Sequence, residues 1–96
     1  MKKHISDRQR FSVVTSMMSV CIECGRPSHE LHECFCGRNR QKSKDYGLVV
    51  PLCADHHRMA HRNPYNRRKY EQMGKAAFLK DHTIEEFKEI FGRYYE

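Results

Sequence analysis

The chain has no tryptophan, only three prolines and five glycines, and little apolar material, with 39% of its 96 residues hydrophobic. A chain this short buries a small share of its surface, and one this polar has little from which to build a core. One domain fits this length and a second does not. There is also no apolar run of membrane-spanning length, because the stretch from Phe11 to Cys21 is short and broken by Ser12, Thr15, Ser16 and Ser19. The first ten residues are charged and polar and carry no signal-peptide apolar region. The cysteine count is five, and an odd count argues against a closed disulfide framework. The expectation is a reducing, cytoplasmic setting with no membrane contact, where paired cysteines usually hold metal.

What the chain does have is five cysteines, seven histidines and a net charge of +6. The charge is concentrated. Residues 38–69 carry nine Lys and Arg against Asp45 and Asp55, while residues 1–37 are near neutral and residues 70–96 are slightly acidic. The central third is therefore the face suited to a polyanion.

Along the chain, residues 1–10 read as a flexible basic arm and residues 11–96 as a single domain. Its core spans about 18–62 and its covering helices about 66–96. Phe11 to Val20 and Leu31 to Cys36 are candidate strands, residues 38–46 a basic loop, and Gly47 to Cys53 a compact apolar strand. Helices are expected from Ala54 to about Arg62, where Asn63-Pro64 stops the first, and from about Asn66 to Lys80. The last helix is marked by a capping box, Thr83 and Glu86. Ile84, Phe87, Phe91 and Tyr94 recur on one of its faces at helical spacing. That aromatic stripe reads as core, with a docking surface as the alternative.

Two constellations carry chemistry. Cys21-x2-Cys24 and Cys53-x2-His56 are two half-sites of a tetrahedral zinc, two thiolates on a knuckle and a Cys/His pair on a turn entering a helix. Cys34 and Cys36 are spare, and an alternative all-thiolate zinc would join them to Cys21 and Cys24. His57 and His61 form the second constellation, since positions i and i+4 share a helix face and both imidazoles can reach one ion. His56 points about 100° away round the helix from its neighbour, which frees it for the zinc. His32, on the candidate strand, is the expected third ligand.

In this order, the CxxC, the histidine-bearing strand, the basic loop, the apolar strand ending Leu52-Cys53 and the His56-His57-x3-His61 helix resemble the HNH nucleases. More narrowly, Glu30 to Ser43 and Tyr46 to Cys53 are similar to small prophage-encoded HNH proteins, with phage Ref-type recombination-enhancing nucleases a related comparison. The likeness covers about residues 18–62, and the tail Phe87-x3-Phe91-Gly92-x-Tyr94-Tyr95 extends it.

The resemblance implies an α+β fold, a zinc-stabilised ββα-metal, treble-clef-like core with additional C-terminal helices. It implies a metal-dependent endonuclease hydrolysing DNA phosphodiester bonds in phage or prophage recombination, in the cytoplasm of a bacterial host. Structural Zn²⁺ would sit at the cysteine site, and a catalytic Mg²⁺, Mn²⁺ or Zn²⁺ on His32, His57 and His61. The partners implied are DNA and a recombinase or other DNA-processing protein. Arg38, Arg40, Lys42, Lys44, Arg58, Arg62, Arg67 and Arg68 would hold phosphates without reading sequence.

Two positions depart from the family's pattern. Glu33 stands where the family places its general-base histidine and is the expected base in its stead. In an ideal strand it faces away from His32, so that role needs a bend there. Gly47 fills the slot of the motif asparagine, and Asn39 in the basic loop is the nearest substitute, as a loop brace or a turn residue. The alternative function is a catalytically weak or inactive zinc-containing module that binds DNA.

Overall fold

In the computed structural model, which describes His4, residues 6–28 and residues 30–96, the apolar segment ahead of Cys53 becomes a strand. This strand, β2 (Val49–Leu52), pairs antiparallel with β1 (Glu30–Glu33), placing Glu30 opposite Leu52, His32 opposite Val50 and Glu33 opposite Val49. All four β2 residues are buried, as expected of a Val/Leu-rich strand covered on both faces. Pro51 is tolerated because, among the described residues, β2 pairs only with β1, so a missing N–H on the side away from β1 costs no ladder partner.

Between the strands the chain is helical, not a loop. A 3-10 turn, Gly37–Asn39, leads into α1 (Arg40–Asp45). Its anchor is Ser43, fully buried, whose hydroxyl accepts from the Phe35 N–H at 3.1 Å and lies 2.9 Å from the Phe35 carbonyl oxygen. Three helices follow: α2 (Ala54–Arg62), α3 (Pro64–Phe78) and α4 (Ile84–Phe91). Asn63 closes α2 and caps α3, accepting from the Tyr65 N–H at 2.9 Å, with Pro64 at the first helical position where its missing N–H is harmless. The Thr83/Glu86 capping box starts α4, and Gly92, at φ +81°, ends it.

The described residues thus form a small α+β unit, a two-stranded antiparallel ribbon with four helices. Its apolar core runs from Phe35, Leu48, Val50 and Leu52 to Tyr70, Phe78, Phe87, Phe91 and Tyr95. Phe35 is its centre, with ring centroids of Phe91 at 4.8 Å and Tyr95 at 4.5 Å. The aromatic stripe of α4 is therefore core, while Tyr94 and Ile84 stay at the surface. α3 packs closely, since a Cβ on Gly74 would stand 2.6 Å from the Cβ of Cys34.

Two further expectations are corrected. Phe11 to Val20 form no strand; they run as turns, joined to the rest by Ser12, whose hydroxyl donates to the Val49 carbonyl at 2.7 Å, and by a bridge between Val20 and Pro27. Hydroxyl side chains that bond nearby backbone, as Ser12 does with the N–H of Val14 and Thr15, compete with a ladder. The strand expected to Cys36 ends at Glu33. Of the arm at residues 1–10, residues 1–3 and 5 lie outside the described residues. Residues 7–9 form one 3-10 turn and Arg10 is anchored to Glu33.

Candidate metal centres

The knuckle at Cys21 is closed by two backbone hydrogen bonds, Cys21 N–H to the Arg26 carbonyl at 2.7 Å and Gly25 N–H to the Cys21 carbonyl at 2.8 Å. Gly25 turns the chain at φ +76°, which L side chains rarely adopt. Ile22 N–H donates to the Pro51 carbonyl at 2.9 Å, tying the knuckle to β2. That contact sets Cys21 and Cys24 beside the N-terminus of α2, where Cys53 is the cap residue and His56 lies in the first turn.

The four ligand atoms lie within 4.8 Å of one another. Cys53 Sγ and Cys21 Sγ stand 3.2 and 3.7 Å from His56 Nδ1, and Cys24 Sγ stands 3.9 Å from Cys53 Sγ. Tetrahedral zinc, with Zn–S of about 2.3 Å and Zn–N of about 2.0–2.1 Å, puts its ligand atoms roughly 3.3–3.8 Å apart. The spacing suits that ion and excludes a Cys24–Cys53 disulfide, whose sulfurs would be about 2.05 Å apart.

The thiols of the cluster are not alike: against the pull of the His56 backbone N–H, burial and the Cys24 and Cys21 thiols push Cys53 up. The Arg26 backbone N–H and guanidinium hold the Cys24 thiol down to about 6, favouring the thiolate that binds metal. Burial pushes the Cys34 and Cys36 thiols up instead. Cys34 is fully buried and the Cys36 thiol donates to the Glu33 carbonyl at 3.6 Å, so neither joins the cysteine site. The Cys3His group can hold a structural zinc.

The second centre is built from β1 and α2. Glu30 and His32 share one face of β1 through the two-residue strand period, and α2 presents His57 and His61 one turn apart. The ligand nitrogens of His32, His57 and His61 also lie within 4.8 Å of one another. The Nε2 atoms of His57 and His61 are 3.2 Å apart, and the His32 ring centroid is 5.4 Å from that of His57 and 5.1 Å from that of His61. His32 is fully buried, with the Tyr70 ring edge-on at 5.3 Å. Among the described residues neither of its ring nitrogens has a hydrogen-bond partner.

A buried polar group left unpaired costs about 1–3 kcal/mol, so the imidazole lacks a ligand that a cation would supply. Burial, then the neighbouring His57 and His61, holds His32 down to about 3, leaving it neutral, the form that binds metal. On these counts the three residues fit a divalent ion.

Glu33 is not brought to this cluster. It faces the opposite side of β1, where its buried carboxylate receives Arg10 at 2.7 Å and Arg40 at 3.3 Å. Asn39 is elsewhere too: its amide donates to the Phe91 carbonyl at 3.0 Å and to Tyr95 Oη at 2.6 Å, fastening the C-terminal segment to α1. Of the basic residues, Arg38, Arg40, Lys42, Arg58, Arg62, Arg67 and Arg68 are exposed, whereas Lys44 is buried. Arg58 pairs with Asp55, and Lys42 donates to the Ile90 carbonyl at 2.6 Å.

Sequence reasoning missed Glu30, whose Oε1 lies 2.8 Å from His57 Nδ1. The strand period that turns Glu33 away places Glu30 beside His32, so the signal was present. It also missed Arg26 beside Cys24. No family model matches the chain, and no curated protein or solved structure matches it either.

Proposed function

We propose that this chain is a divalent-metal-dependent DNA endonuclease with an HNH-type, zinc-braced ββα-metal core. The observation that carries the reading is the convergence of His32, His57 and His61, with His32 buried and unsatisfied at both nitrogens. The order of parts supports it: ligand-bearing strand β1, partner strand β2, then helix α2 with two ligands one turn apart. The Cys3His group clamps the knuckle, the end of β2 and the start of α2, the structure on which the histidines stand.

An ion on the three histidines would offset charge developing on the phosphoryl and leaving oxygens. The protein's own contribution is orientation and charge. The α2 backbone fixes His57 and His61, β1 fixes His32, and exposed Arg58 and Arg62 on α2 supply phosphate contacts independent of sequence. In this reading Glu33 holds the guanidiniums of Arg10 and Arg40 in place and does not act as the base.

The turned-away Glu33 favours a second reading, a zinc module that binds DNA without cutting it. Supercoiled plasmid incubated with the protein and Mg²⁺, Mn²⁺ or Zn²⁺ separates the two. The nuclease reading predicts nicking that His57→Ala reduces at least about 100-fold while the cysteine-bound zinc is retained. Salt-sensitive DNA binding with no cleavage at any of the three metals leaves only the module.

A further inference from the structure

We propose that Glu30 is the positioning residue of the histidine centre, setting the tautomer and direction of His57. The inference rests on the metal-site reading above. The imidazole Nδ1–H donates to Glu30 Oε1 at 2.8 Å. With that proton fixed on Nδ1, the lone pair is left on Nε2, the nitrogen that faces His61 Nε2 at 3.2 Å. A metal-bound histidine ordinarily gives its second nitrogen to a carboxylate or carbonyl in this way, which orients the ring and raises its basicity.

Glu30 sits behind the ring, against the nitrogen remote from His61, so it serves the ligand and is not one itself. Its backbone is fixed for the task. The Ser28 hydroxyl, buried, lies 2.9 Å from the Glu30 carbonyl oxygen, 2.7 Å from the Leu52 carbonyl oxygen and 3.3 Å from the Glu30 N–H. This locks the first residue of β1 onto the last residue of β2. The Glu30 side chain is 45% exposed and that of His57 21%, so Glu30 can be replaced without opening the core. His32 and His61 have no carboxylate partner of this kind among the described residues, which makes His57 the ligand whose aim depends on a removable side chain.

The test is titration of the full-length, zinc-loaded protein with Co²⁺, read by visible absorption, for wild type and Glu30→Ala, Glu30→Gln and Glu30→Asp. Wild type should take up one Co²⁺ at a site without thiolate charge-transfer bands. Glu30→Ala should weaken it by about 10–100-fold and change the band shape. Glu30→Gln, which keeps a carbonyl acceptor, should recover part of the loss, and Glu30→Asp part of it through a shorter arm. Circular dichroism and zinc content should match wild type in all three. Equal Co²⁺ affinity and spectra in wild type and Glu30→Ala would overturn the role of Glu30 while leaving the metal site intact. Absence of the thiolate-free Co²⁺ site in wild type would overturn both the site and this inference.

Discussion

His56 and His57 are neighbours in sequence that serve opposite clusters: His56 Nδ1 stands 3.2 Å from Cys53 Sγ, and His57 Nε2 stands 3.2 Å from His61 Nε2. A helix turns about 100° per residue, and that rotation alone separates the two centres. Both are thereby carried by the rigid element α2, and the histidine centre can be perturbed without touching the cysteine centre.

The cysteine centre should carry the stability. Cys21 and Cys53 are buried, and the structural zinc of small domains contributes on the order of 10 kcal/mol to folding. Cys53→Ser, or excess chelator at elevated temperature, should release the metal and unfold the chain, as followed by circular dichroism. Cys36→Ser should do neither. A fully folded, metal-free wild type would contradict the role assigned to this centre.

Glu33 separates a structural from a catalytic carboxylate. Glu33→Gln weakens its pairing with Arg10 and Arg40, and the expected loss is about 1–3 kcal/mol in denaturant unfolding. Metal content should be unchanged. Loss of plasmid nicking with unaltered stability would instead mark Glu33 as the base.

Asn39 is expected to act only on the fold. Asn39→Ala leaves the Phe91 carbonyl and Tyr95 hydroxyl without this donor, at a cost of about 1–3 kcal/mol. DNA affinity, measured by anisotropy at fixed salt, should stay within twofold. A larger fall in affinity with stability intact would place Asn39 at the nucleic-acid face.

Helix α4 should loosen at low pH. The Thr83 N–H, then His82 and the Thr83 side chain, hold the Glu86 carboxyl below its ordinary 4.5. A depressed acid contributes stability that is present in full above about 4.5 and is lost as pH falls through the lowered folded value. Unfolding followed from pH 6 down to pH 3 should show this acid limb flattened in Glu86→Gln. Thr83→Ala, which removes the cap, should cost about 1 kcal/mol at neutral pH.

The parts legible in the sequence were those fixed by short-range spacing. Cys21-x2-Cys24 with Cys53-x2-His56, the His57/His61 pair and the Thr83/Glu86 box each depend on a turn or a helix period, and each appears in the structure where that period puts it. The α1 segment was illegible because its structure is set by two buried polar residues, Asn39 and Ser43, among lysines and arginines with no apolar period. Phe11 to Val20 misled because its apolar residues suggested a strand while its hydroxyls supplied the competing bonds. At β1 the period itself was informative, and what it implied was Glu30 beside His32 and Glu33 on the opposite face; that Arg10 and Arg40 meet it there came from the structure.

The division into two centres is tested most directly by native mass spectrometry of wild type, His32→Ala and His61→Ala, before and after mild chelation. Wild type should carry two ions, one of them removed by the chelator, and each variant a single chelation-resistant zinc. One ion on all three proteins, retained equally through chelation, would contradict it.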